Sequence, residues 1–130
     1  MGKQYKFLFF LFVINMNLSF SQTTYTSVAS GNWNNPTTWS PSGIPTTSDI
    51  VNIGNYAITV TADAFCSTLT TNPGSDTFTS RLTVNGSVKL TVSDFIAVPS
   101  TNASNNTTYI DGTGVIETNA IYVGDGNLIT

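Results

Sequence analysis

Seven carboxylates, one thiol and no imidazole are the groups with which this chain could do acid–base or covalent chemistry. The thiol is Cys66, in the run AITVTADAFCSTLT. A cysteine nucleophile needs a base beside it, and without histidine the apolar, β-prone context points to a small buried hydrophobe. A pair of carboxylates for sugar hydrolysis would have to come from Asp94, Asp111, Glu117 and Asp125, brought together by folding. Nothing in the spacing ties Glu117, the only glutamate, to an acid partner, so no catalytic residue is assigned. The stretches Asp111-Gly112-Thr113-Gly114 and Gly124-Asp125-Gly126-Asn127 hold the oxygen ligands calcium takes, but not a run of alternating acids. They read as Asp-Gly turns, and neither a metal nor a cofactor is expected. Threonines at 59/61, 68/70 and 77/79 would suit an ice-binding face only if stacked in register. β-Branching alone favours Thr in strands. Asn85, Asn102, Asn105 and Asn106 lie in N-x-S/T triplets, glycan acceptors in a eukaryotic secretory host and plain turn residues in a bacterium.

The elements that must carry these groups are strands. Ile58 and Val60, Leu82 and Val84, Val88, Leu90 and Val92, Ile96 and Val98, and Ile121 and Val123 alternate with polar residues in short runs bounded by Gly, Asn, Asp, Pro or Ser. That period-two pattern predicts an all-β protein. The runs repeat. Arg81–Val98 overlays on Thr108–Val123, with Val84-Asn85-Gly86-Ser87 on Ile110-Asp111-Gly112-Thr113 at an offset of 26. Ile96 falls on Ile121 at 25, and Leu69 lies 27 before Ile96. One unit about every 26 residues suits the coil of a β-solenoid, whose inward side chains stack on those of the next coil. Asn-Gly and Asp-Gly turns are also strong hairpin signals, which leaves a β-sandwich as the alternative.

Both tryptophans fall in one turn-rich stretch, GNWNNPTTWSPSG, running from Gly31 to Gly43. A stack of coils exposes apolar side chains and strand edges at its ends and needs caps there. Trp33 and Trp39 bring large apolar area on a segment whose Asn32, Asn34, Asn35, Pro36 and Pro41 favour turns, so a cap over the first coil is the reading. The competing role is a pair of exposed platforms for sugar rings, and Trp33 and Trp39 are the candidate carbohydrate contacts.

Residues 1–21 have the layout of a secretory signal peptide. Lys3 and Lys6 precede an apolar run from Phe7 to Ile14, and Ser19 and Ser21 set a cut after Ser21. The run is far shorter than the ~20 residues of a spanning helix, so no membrane insertion of the mature chain is expected. The mature chain keeps two cations, Arg81 and Lys89, against seven acids. Two cations neutralise too few phosphates for nucleic-acid binding.

The pattern from Gly31 to Thr70, GxWxxPxxW and then Pro45, Asp49, Val51 and Ile53 followed by Ile58 and Val60, resembles the N-terminal module of large secreted bacterial surface proteins. The layout is also similar to the eight-glycine β-strand domain of some cell-surface and hyaluronan-processing proteins, although its glycines are sparse before Gly74 and no functional residue is carried over. The likeness covers roughly residues 24–98. It implies a right-handed parallel β-helix, here of about four coils. It also implies type IX secretion with a C-terminal sorting domain that this sequence lacks, so a longer natural protein is expected. The expected organisation is a signal peptide at 1–21, a cap segment at 22–55 and coils at 56–130, with PSTNASNNTT leaving the coil as a solvated loop. The expected role is a secreted or cell-surface structural or adhesion module without catalysis of its own. The alternative is the carbohydrate-binding front of a polysaccharide-acting enzyme. Expected partners are a surface polysaccharide or another copy of the chain, paired end to end through Ala120–Val123.

Overall fold

The computed structural model describes residues 21–71, 78–98, 106–124 and 127–129. All but the last residue of the expected signal peptide, most of the expected 99–108 loop and Asp125 therefore lie outside the described residues. Two sheets of short strands wind into a β-solenoid of about three turns. The strands are β1 (Thr24–Ser27), β2 (Gly31–Asn32), β3 (Trp39–Ser40), β4 (Ile50–Ile53), β5 (Ala57–Val60), β6 (Ala64–Cys66) and β7 (Thr68–Thr71). They continue as β8 (Phe78–Val84), β9 (Lys89–Val98), β10 (Asn106–Gly112), β11 (Val115–Val123) and β12 (Asn127–Ile129).

Sheet B stacks β2, β5, β8 and β10 in parallel. Sheet A has two columns. In one, β1, β4, β7 and the second halves of β9 and β11 stack in parallel; in the other, β6 and the first halves of β9 and β11 do so. The coils after the first run through all three columns, and a corner links each column to the next. Where the long strands pass from one sheet-A column to the other, the register slips between Thr118 and Ala120. Asn119 bridges this irregularity by donating from Nδ2 to the Ser93 carbonyl (2.7 Å).

The alternation in sequence is what fills the interior. Val51, Leu69 and Ile96 form one inward ladder, Ile58 and Leu82 a second, Val60 and Val84 a third, Ala64 and Leu90 a fourth, and Cys66 and Val92 a fifth. Every one of these side chains is buried. Each fully buried aliphatic contributes about 1.5–3 kcal/mol relative to exposure.

The sandwich alternative fails on the turns. Asn85-Gly86 joins β8 in sheet B to β9 in sheet A, which do not pair with each other, so it is a corner and not a hairpin. Three turns replace the expected four because the first coil is incomplete. After β2 the chain leaves the stack through a 3-10 turn at Pro36–Thr38 and returns as β3, antiparallel to β1 (Thr26 opposite Ser40, Ser27 opposite Trp39). The Ser40–Pro41 peptide that follows is cis. Parallel stacking already includes β1 and β4, inside the 22–55 stretch.

Candidate functional site

The tryptophan cap is the most elaborate local structure. Asn35 accepts from the Thr37 backbone N–H (3.1 Å) and hydroxyl (2.9 Å), which starts the 3-10 turn. Thr38 returns a hydroxyl bond to the Asn32 carbonyl (3.0 Å). The Trp33 N–H bonds the Thr59 carbonyl (2.9 Å), carrying the β2–β5 ladder one residue on. Trp39 then packs edge-to-face on Trp33, with ring centroids 5.2 Å apart and planes at 72°, and donates from Nε1 to the Trp33 carbonyl (2.8 Å). The rings are 0% and 2% exposed. They pack at the first coil, and in this fold Trp33 and Trp39, the candidate carbohydrate contacts, present no exposed ring face.

Asp49 fastens the cap segment to the stack. Its buried carboxylate accepts from the Thr23 N–H (2.9 Å), the Thr46 N–H (2.8 Å) and the Thr46 hydroxyl (2.7 Å). Burial pushes its pKa up, but the Thr46 hydroxyl and the two backbone donors outweigh it and hold the group below the ordinary carboxylate value. The Cys66 thiol has no comparable donors. Burial, with the Asp49 charge second, pushes it up to about 12, which removes the thiolate that nucleophilic chemistry needs.

Of the acids considered for sugar hydrolysis, Asp111 and Glu117 lie on different sheets. Asp111 projects from sheet B, where it binds Arg81 Nη1 and accepts from the Thr83 hydroxyl (2.7 Å). Glu117 projects from sheet A, where Oε2 lies 2.7 Å from Lys89 Nζ. That pairing lowers the pKa of Glu117 and raises that of Lys89. Among the described residues no three His, Cys, Asp or Glu gather as a metal site, and no helix is long and apolar enough to cross a membrane.

One surface has mixed chemistry that the sequence did not single out. On the outer side of sheet B, Tyr109 is 43% exposed and sits under the Arg81 guanidinium (4.5 Å to the ring centroid), next to Asp111 and Thr83. The repeat overlay places Tyr109 on Thr83; the structure pairs Tyr109 with Arg81 and Asp111 with Thr83, at an offset of 28. The difference comes from the corners. Four residues, Asn85–Val88, separate β8 from β9, whereas Thr113–Gly114 alone separate β10 from β11. The two matching motifs, Asn-Gly-Ser and Asp-Gly-Thr, are therefore not equivalent in space. The paired glycines of DGTG were the available signal of the tighter corner.

The far end of the stack is only partly closed. β12 pairs antiparallel with β11 from Ile121 to Val123, so the edge expected to join another copy is covered there. The uncovered strand is β10, the edge of sheet B. Ile110, on the Leu82 ladder, is 37% exposed there, and among the described residues no further strand overlies it.

Comparison with protein-family models, with curated proteins and with solved structures gave no match in any of the three.

Proposed function

We propose that this chain is a secreted or cell-surface structural β-solenoid module, a stalk, spacer or adhesion segment without catalysis of its own. The observation that carries this reading is how the polar side chains are used. Ser27 accepts from the Gly54 N–H, Ser30 from Ala57, Asn55 from Thr79 and Asp63 from Lys89. With the Thr23 bond to Asp49 and the contacts of Asp111 and Glu117, these bonds join residues 24 to 30 apart, one coil to the next. Side chains that could have formed a reaction centre serve as ties between coils, as expected of a stiff scaffold that presents its loops and outer faces. Routing through the leader at 1–21, by type IX secretion, belongs to this reading. So does self-association through the open end, which now falls on β10 and the first half of β11.

The test is fractionation of cells expressing the chain with its own leader, followed by whole-cell protease shaving. Recovery on the surface or in the medium supports the proposal, and retention in the cytoplasm with an intact leader overturns it. The second reading, a polysaccharide-binding front part of an enzyme, is favoured by the exposed Tyr109 beside the Arg81–Asp111 pair. Affinity electrophoresis through gels containing soluble polysaccharides separates the two. Retardation that Tyr109→Ala abolishes would favour binding; unchanged mobility across the panel would favour the stalk.

A further inference from the structure

The corner that joins β8 to β9 has the chemistry of a slow covalent change. Asn85 is exposed and is followed by Gly86, which has no side chain to shield its backbone nitrogen. Asn85 is held only through its main chain, by N–H donation to the Val60 carbonyl (3.0 Å) and a long bond from the Val88 N–H (3.4 Å). Among the described residues neither its side-chain amide nor the Gly86 N–H has a hydrogen-bond partner. Ser87 completes the corner at φ +67°.

We propose that Asn85 is a site of spontaneous, succinimide-mediated conversion, and that the conversion loosens the corner above it. The Gly86 nitrogen loses its proton to solvent base and attacks the Asn85 side-chain carbon Cγ. A C–N bond forms, the C–Nδ2 bond breaks and ammonia leaves. Water then opens the five-membered imide at either carbonyl, giving aspartate or the β-linked isoaspartate. No oxidant or reductant is involved, and the corner gains one negative charge.

The same structure sets Asp111-Gly112 apart, although sequence aligns it with Asn85-Gly86. Asp111 lies within β10, and both carboxylate oxygens are engaged, Oδ2 by Arg81 and Oδ1 by Thr83. Imide formation there needs a protonated carboxyl and a strand free to bend, and these contacts oppose both. The consequence for the stack follows from close approach. A Cβ on Gly114 would lie 2.3 Å from the Asn85 carbonyl oxygen and 2.8 Å from that of Val88. Gly114 N–H donates to Val84 (2.9 Å) and Val115 N–H to Val88 (3.0 Å). An isoaspartate inserts a carbon into the main chain directly beneath those bonds.

The experiment is incubation of the folded full chain in mildly alkaline buffer at body temperature, then digestion and peptide mapping with isoaspartate-specific enzymatic methylation. The proposal expects acid and isoaspartyl forms of the Asn85 peptide to accumulate several-fold faster than change at any other described asparagine, while the Asp111 peptide keeps one form. Gly86→Ala should slow the reaction many-fold and Asn85→Gln should abolish it. Two variants are used so that a folding defect in one leaves the other to decide. An intact Asn85 peptide in the folded chain, with conversion only after denaturation, would overturn the site; so would isoaspartate at Asp111 forming as fast. The converted fraction, separated by its extra charge, should show faster amide exchange over Val115–Thr118, and unchanged exchange there would overturn the claimed loosening.

Discussion

Asp49 and Cys66 show how differently two buried titratable groups can be treated within one core. Asp49 keeps its charge because three donors face it, and its folded-state pKa lies below the ordinary 3.8. A lowered carboxylate pKa contributes stability that is fully present above about pH 4 and is lost as pH falls through the folded value. The melting temperature should therefore drop below pH 4, and Asp49→Asn should flatten that part of the profile while lowering stability at neutral pH. The amide would place a second donor against the Thr46 or Thr23 N–H, and leaving one such buried donor unmet costs about 1–3 kcal/mol. A flat profile in the native protein would contradict this account. Cys66 runs the opposite way. Its thiol stays protonated in the fold up to about pH 12, against an ordinary 9.0. The unfolded chain ionises first, so stability should decline as pH rises past about 9. Native protein at pH 8 should leave a disulfide-exchange reagent unreacted and titrate one thiol in denaturant. Prompt reaction of the native chain would show that the thiol is accessible.

At the scale of elements, the two glycine-bearing corners give the sharpest contrast. Gly112 has φ +118°, and a Cβ there would sit 2.0 Å from the Val84 carbonyl oxygen. Backbone can yield only by shifting a strand, so Gly112→Ala should cost several kcal/mol, more than the usual range of about 0.5–3 for a point change. A Cβ on Gly86 meets only the Thr113 hydroxyl at 2.9 Å, a side chain that can turn aside. Gly86→Ala should change the melting temperature little, and equal losses for the two variants would refute the distinction. The same corners mark where sequence was legible. Alternation in VKLTV or AITV gives strand and inward face directly, since a two-residue register error keeps every side chain on its side of the sheet. That is why Ile110 remains inward although its partner is Leu82 and not Val84. Corner length is not written in the alternation, and with the paired glycines of DGTG as its one signal the Arg81–Tyr109–Asp111 grouping stayed hidden. The burial of Trp33 and Trp39 was legible because two indoles bring large apolar area to a turn at the start of the stack. The antiparallel returns of β3 and β12 were not, being two and three residues long with no periodic signature.

For the whole molecule, the asymmetry of the two ends governs stability. Tryptophans and β3 close the first coil, whereas Ile110 and the first half of β11 face solvent at the last. Native-state hydrogen exchange should therefore be slowest at Val51, Ile58 and Leu69 and quickest along β10 and β11, following the loss of overlying coils. Uniform protection from β4 to β11 would argue against a stack that frays from one end. Ile110→Lys should reduce any self-association of the chain, since a charge on an open strand edge disfavours pairing; a clean monomer at high concentration before the change would remove that route altogether. The ties that join residues one coil apart have a mechanical consequence. Pulled from its termini, such a stack is loaded like a zipper, one rung at a time, and not in shear across many bonds at once. A coil such as that from Ala64 to Leu90 stores 26 residues, or roughly 90 Å of extended chain at ~3.4 Å per residue, whereas the step from Ile50 to Thr68 spans 18. Under tension such a stack should lengthen in discrete steps, one coil at a time.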